Sequence, residues 1–129
     1  MKNVYFLAGI AWVLIVTVLL CLPGSTLPKN PFLLAIHADK WVHIFLFATG
    51  CYLFSRPFLN SGRSPGQKTA WFCAVATTGI AYGTGMEFVQ EHWVSNRSFE
   101  LADIAADSAG CLIALVICVM QLRSSRGKG

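Results

Sequence analysis

Charge is the scarcest property of this sequence: charged side chains make up 12% of its 129 residues, against about 25% in ordinary soluble chains. Residues 3–27, 41–55 and 69–86 carry no charge, and residues 104–122 carry only Asp107. That scarcity, with 55% hydrophobic residues and a mean hydropathy of +0.58, excludes a water-soluble globular domain. Cysteine is present, at positions 21, 51, 73, 111 and 118, but without a CxxC or a His/Cys ligand spacing. A zinc ribbon and a dithiol redox motif are thereby excluded, and the cysteines read as small buried hydrophobes. No HExxH, Gly-rich phosphate loop or nucleophile motif occurs, so no reaction is announced by local sequence.

What remains is long and apolar. A spanning helix needs about 20 mostly apolar residues, and the uncharged stretches supply four, near residues 4–22, 41–59, 69–88 and 101–122. The expected fold is all-α, a polytopic four-transmembrane-helix bundle forming one unit over residues 1–129. The first span reads as a retained signal anchor, since it lacks a small-x-small cleavage site and its apolar core exceeds the usual length of about 7–15 residues. Lys2, Arg56, Arg63, Lys68, Arg123, Arg126 and Lys128 fall on one side of such a bundle, and only Lys29, Lys40 and Arg97 on the other. Basic loops stay in the cytoplasm. Both termini and the middle loop are therefore expected inside, and the net charge of +4 serves topology, not nucleic acid. The basic tail, residues 123–129, is expected to be disordered near anionic inner-leaflet lipids. The proline-bounded segment "PFLLAI" is expected to rest at the outer interface or to lid the bundle.

The acids break this apolar pattern. Asp39, Glu87, Glu91, Glu100, Asp103 and Asp107 all fall toward the outer ends of the last three spans or in their loops, as do His37, His43 and His92. An aspartate at the bilayer centre costs roughly 2.5–3.5 kcal/mol on insertion scales, less near the interface. Helical spacing puts Asp39, His43 and Gly50 on one face; Gly83, Glu87, Gln90 and Glu91 on another; and Asp103, Asp107, Gly110 and Ala114 on a third. Each face is ionisable toward the outside and small further in, as a bundle with a polar cup requires. Gly79 and Gly83 offer a close-approach face for the fold or for an oligomer, and the Ala102, Ala106, Gly110, Ala114 repeat reads as helix packing.

Structural roles account for part of this. Asp103 lies near a helix N-terminus, which favours a carboxylate, and Asp39 and Lys40 can form an interfacial pair. Asp107 lies too deep for capping. Ionisable groups inside a membrane are functional candidates, and His43, Glu87, Asp103 and Asp107 are the candidate catalytic residues. Carboxylates with one imidazole suit a divalent cation, and His43, Glu87 and Asp107 are the candidate ligands for Mg²⁺, Ca²⁺, Mn²⁺ or Zn²⁺. Lys40 and Arg97 are candidate phosphate binders. A proton or ion transporter is disfavoured, because the inner halves of the helices hold no ionisable group to continue a path.

The strings "DKWVH", "YGTGMEFVQ" and "NRSFELADIAADSAG" resemble the VanZ-like family of small bacterial membrane proteins. The resemblance covers about residues 23–114 and runs through Asp39, Lys40, His43, Tyr82, Gly83, Glu87, Gln90, Arg97, Asp103, Asp107 and Gly110. It implies a multi-pass protein of the bacterial cytoplasmic membrane, in contact with membrane lipids, with Asp39, Lys40, Tyr82, Gln90 and Arg97 as binding residues. It also implies a link to resistance against teicoplanin, a lipoglycopeptide acting outside the membrane, and hence a lipid-linked envelope precursor or that lipoglycopeptide as ligand. Many members carry Asn where this chain carries Asp107, so this pocket holds an additional negative charge.

Overall fold

The computed structural model describes residues 2–126, all-helical with no strand among them. In chain order these are α1 (Lys2–Leu20), a 3-10 turn (Gly24–Thr26), α2 (Pro31–Ala35), α3 (Ala38–Leu59), α4 (Pro65–Trp93) and α5 (Leu101–Arg126). Each expected span is a helix, but the ends differ. α4 overruns 69–88 on both sides. Ser64 opens it early with a reciprocal capping box, accepting from the Gln67 N–H while the Gln67 side chain accepts from its own, and Pro65 suits the first turn. α5 likewise continues through residues 123–126, where a disordered tail was expected; Lys128, the last charge of that tail, lies outside the described residues.

Two helices are long and apolar enough to cross a membrane, Ala38–Leu59 and Leu101–Ser125. The apolar stretch of α1, Val4–Leu20, is shorter, and α4 has the length at 29 residues but is more polar.

α3 is the central element, packed on α1, α4 and most extensively on α5. Glycine explains how closely the backbones approach. A Cβ at Gly110 would overlap the Ile44 carbonyl of α3, and one at Gly79 would stand 2.7 Å from the Cys111 sulfur and 2.9 Å from that of Cys51. The Gly79 and Gly83 face is thus consumed inside the chain. The Trp12 indole N–H donates to the Leu46 carbonyl at 2.9 Å and ties α1 to α3. Cys51, Cys111 and Cys118 are buried as expected, whereas Cys21 and Cys73 are exposed.

The polarity of a soluble bundle is inverted. Leu7, Leu14 and Val18 of α1, Trp41, Val42 and Phe45 of α3, and Leu112, Val116 and Met120 of α5 are exposed. His43, Glu87, Gln90, Asp103 and Asp107 are buried. Helices α3 and α5 begin, and α1 and α4 finish, at one end, which is the acidic end. There the Gly24 N–H donates to the Ser95 carbonyl at 3.0 Å, joining the two long connections. The "PFLLAI" segment forms α2, capped by the Asn30 side chain on the Phe32 N–H, and leaves Phe32 and Leu34 exposed beside α3.

Candidate functional site

The acidic end is built by three helix faces. Asp103 and Asp107, one turn apart on α5, turn inward onto α3 because Gly110 lets the two backbones close up a turn further along. Gly83 of α4 makes room in the same way: a Cβ there would stand 2.6 Å from Asp107 Oδ2 and 3.0 Å from the Phe47 ring. Asp107 is therefore lodged between α3 and α4, 1% exposed.

A chain of contacts runs through this layer. His43 Nδ1 lies 2.8 Å from Asp107 Oδ1. With Asp107 ionised, Nδ1 is the donor, since a carboxylate only accepts. Nε2 faces Asp103 Oδ2 at 4.0 Å, beyond hydrogen-bond distance. The other oxygen of Asp103 accepts from the Lys40 ammonium, which also reaches Glu100 Oε2 at 2.6 Å and Asp39 Oδ2 at 2.8 Å. Glu87, 1% exposed, accepts the Glu100 N–H at 2.9 Å and so fixes the connection just before α5 against α4. Among the described residues, no side-chain nitrogen or oxygen that is wholly shielded from solvent lacks a hydrogen-bond partner.

The structure thus brings Lys40, His43, Glu87, Asp103 and Asp107 into one layer, with Asp39 at its exposed rim. It takes other expected residues elsewhere. Gln90 donates to the Leu20 carbonyl at 2.9 Å and caps the end of α1. Arg97 donates to the Leu22 carbonyl at 3.4 Å, and among the described residues it forms no ion pair with a carboxylate. Tyr82 pairs with Thr17 of α1 at 2.7 Å. Glu91 and His92, expected to join Glu87 and Gln90 at the cup, are exposed, because positions 91 and 92 rotate away from the face that 83, 87 and 90 share.

His43, Glu87 and Asp107 do not form a compact ligand set. The group whose ligand atoms lie within 4.8 Å of one another is Asp39, Glu100 and Asp103. There the Lys40 ammonium already supplies the positive charge. The sequence reading passed over Glu100 as a site residue. Its signal was available: it stands three positions before Asp103, at the cap of the incoming helix, where its carbonyl accepts the Asp103 N–H.

No family model matches the chain, and no solved structure matches it. Over 108 residues, 84% of the chain, it is 32% identical to an uncharacterized protein of the fission yeast Schizosaccharomyces pombe. The chain spans 63% of that relative's length.

Proposed function

We propose that this chain is a multi-pass protein of the cytoplasmic membrane, with four spans, both termini inside and the acidic end outside. In this reading it engages a lipid headgroup or a lipid-linked precursor of the cell envelope. The observation that carries it is the series formed by the half-buried Lys40 and the buried Asp103, His43 and Asp107, within a bundle whose outward faces are apolar. Lipid is the solvent that accepts exposed leucines and phenylalanines while charges stay inside. Arg56, Arg63, Lys68 and Arg123 gather at the opposite end, which supports the orientation. Trp41 and Trp93, exposed at the acidic end, suit a membrane–water interface. The resemblance to VanZ-like proteins points the same way.

Asp39, Glu87, Glu100, Asp103 and Asp107 outnumber Lys40 and His43, so the layer favours a cationic group. An amine-bearing headgroup fits, as does a divalent cation held beside a phosphate. His43 holds or moves a proton at the site, and Asp107 is the positioning residue that orients its ring. The relative in a fungus favours a lipid common to bacteria and fungi over a wall precursor confined to bacteria.

The test is to express wild type, His43→Ala and Asp107→Ala in a glycopeptide-susceptible bacterium. Teicoplanin tolerance, labelled envelope lipids and membrane accumulation are measured together. Wild type is expected to shift tolerance and the lipid profile, and both variants to lose these effects while still accumulating. Wild-type behaviour in both variants refutes the reading. One observation favours a second reading, a non-catalytic polar network: among the described residues, no polar side-chain atom wholly shielded from solvent is left without a partner. A graded loss that tracks thermal stability, with no altered lipid, would select it.

A further inference from the structure

Two thiols that no local spacing announces meet below the acidic layer. Cys51 lies on α3, and Cys111 lies on α5 one turn past Asp107. Gly79 of α4 faces both: a Cβ there would stand 2.7 Å from the Cys111 sulfur and 2.9 Å from the Cys51 sulfur. The two sulfurs flank the space that one missing methyl leaves, and the side chains interact directly. α3 and α5 touch backbone to backbone beside them, since a Cβ at Gly110, the residue before Cys111, would overlap the Ile44 carbonyl and crowd the Ala48 nitrogen. A disulfide spans about 4.4–6.8 Å between Cα atoms, a separation that helices in such contact provide. Cys118 is just as buried but faces Ser55.

We propose that Cys51 and Cys111 are a redox-active pair, which a hydroperoxide converts into a disulfide joining α3 to α5. Exposure assigns the order of attack. Cys51 lines the apolar cavity that opens between α1, α3 and α4, whereas Cys111 is sealed at 0% exposure. The Cys51 sulfur attacks one peroxide oxygen: an S–O bond forms, the O–O bond breaks, and the thiol proton leaves with the departing oxygen as an alcohol or water. The Cys111 sulfur then attacks the sulfenic acid at Cys51: the S–S bond forms, the S–O bond breaks, and the second thiol proton leaves in water. Two thiols are oxidised and one peroxide is reduced. A soft metal ion is the competing use of two thiols, and the surroundings oppose it. The pair sits in the main apolar core with Phe47, Ala76 and Ala114, and the nearest carboxylate along α5 is Asp107. Two thiolates would bring further negative charge into that packing, whereas a disulfide is neutral. The cross-link fixes the spacing of the two helices that carry His43 and Asp107.

The test is limiting hydrogen peroxide on the full chain in mild detergent, followed by alkylation in denaturant and peptide mapping. Wild type is expected to yield one peptide pair joined through Cys51 and Cys111 and released by a thiol reductant, and Cys118→Ala to yield the same pair. In Cys111→Ala, dimedone is expected to trap a sulfenic acid at Cys51. In Cys51→Ala, label at Cys111 is expected to be at least tenfold weaker. No joined pair in wild type, or a pair through Cys21, Cys73 or Cys118 in its place, overturns the proposal. Equal dimedone labelling of Cys111 in Cys51→Ala overturns the order of attack.

Discussion

A double-mutant cycle on His43 and Asp107 tests the centre of the site. Asp107→Ala removes the acceptor 2.8 Å from His43 Nδ1 and leaves that N–H buried, at a residue 5% exposed. Hydrogen bonds to charged groups in soluble cores contribute about 1.5–3 kcal/mol. Interhelical bonds in membranes average only about 0.6 kcal/mol and reach about 1.7, because separated helices also find partners. This pair is short, buried and charged, so its coupling belongs near the top of the membrane range, about 1–2 kcal/mol, or roughly 5- to 30-fold in the unfolding equilibrium. Reversible unfolding in mixed micelles, followed by tryptophan fluorescence, measures wild type, His43→Ala, Asp107→Ala and the double variant. Asp107→Asn keeps an acceptor and is expected to recover part of the coupling. A coupling within about 0.3 kcal/mol of zero, with each single variant destabilised, would refute the contact as an energetic unit.

The glycines of α4 give a paired prediction. Gly83→Ala drives a methyl into Asp107 and Phe47 and is expected to cost about 1–3 kcal/mol. Gly85→Ala, with nothing within 4 Å, is expected to stabilise by up to about 1 kcal/mol; equal effects in the same unfolding assay would contradict the packing. Gln90→Leu removes the donor on the Leu20 carbonyl and is expected to cost about 1 kcal/mol and to expose the end of α1 to limited proteolysis. For topology, Gly62→Cys and Ser95→Cys in a background lacking Cys21 and Cys73 are expected to react with an impermeant maleimide from opposite sides, Ser95→Cys in intact cells; same-side labelling rejects the four-span arrangement.

Much of the acidic layer was legible in the sequence because helical spacing fixes which residues share a face. Asp103, Asp107, Gly110 and Ala114 are all buried on one stripe of α5, as their spacing requires. Spacing does not fix which neighbour that stripe meets. Gln90, Tyr82 and Arg97 look like site residues by type and position, yet their polar atoms serve α1 and the residues just after it. The helix ends were misjudged for a related reason. Hydropathy marks where a segment is apolar, whereas the capping box at Ser64 decides where α4 starts.

What the sequence settles by itself is one-dimensional: helices at these places along the chain, apolar around most of their circumference, with the acidic residues and histidines confined to one end. Backbone hydrogen bonding and side-chain periodicity suffice for that. Only the tertiary structure decides that Lys40 is shared among Asp39, Glu100 and Asp103, that Asp107 and not Glu87 holds His43, and that α1 and α4 leave an apolar cavity between them. Those outcomes depend on how closely Gly79, Gly83 and Gly110 let neighbouring helices approach, and on the rotation of each helix about its axis. Both are properties of pairs of helices, and no single stretch of sequence contains them.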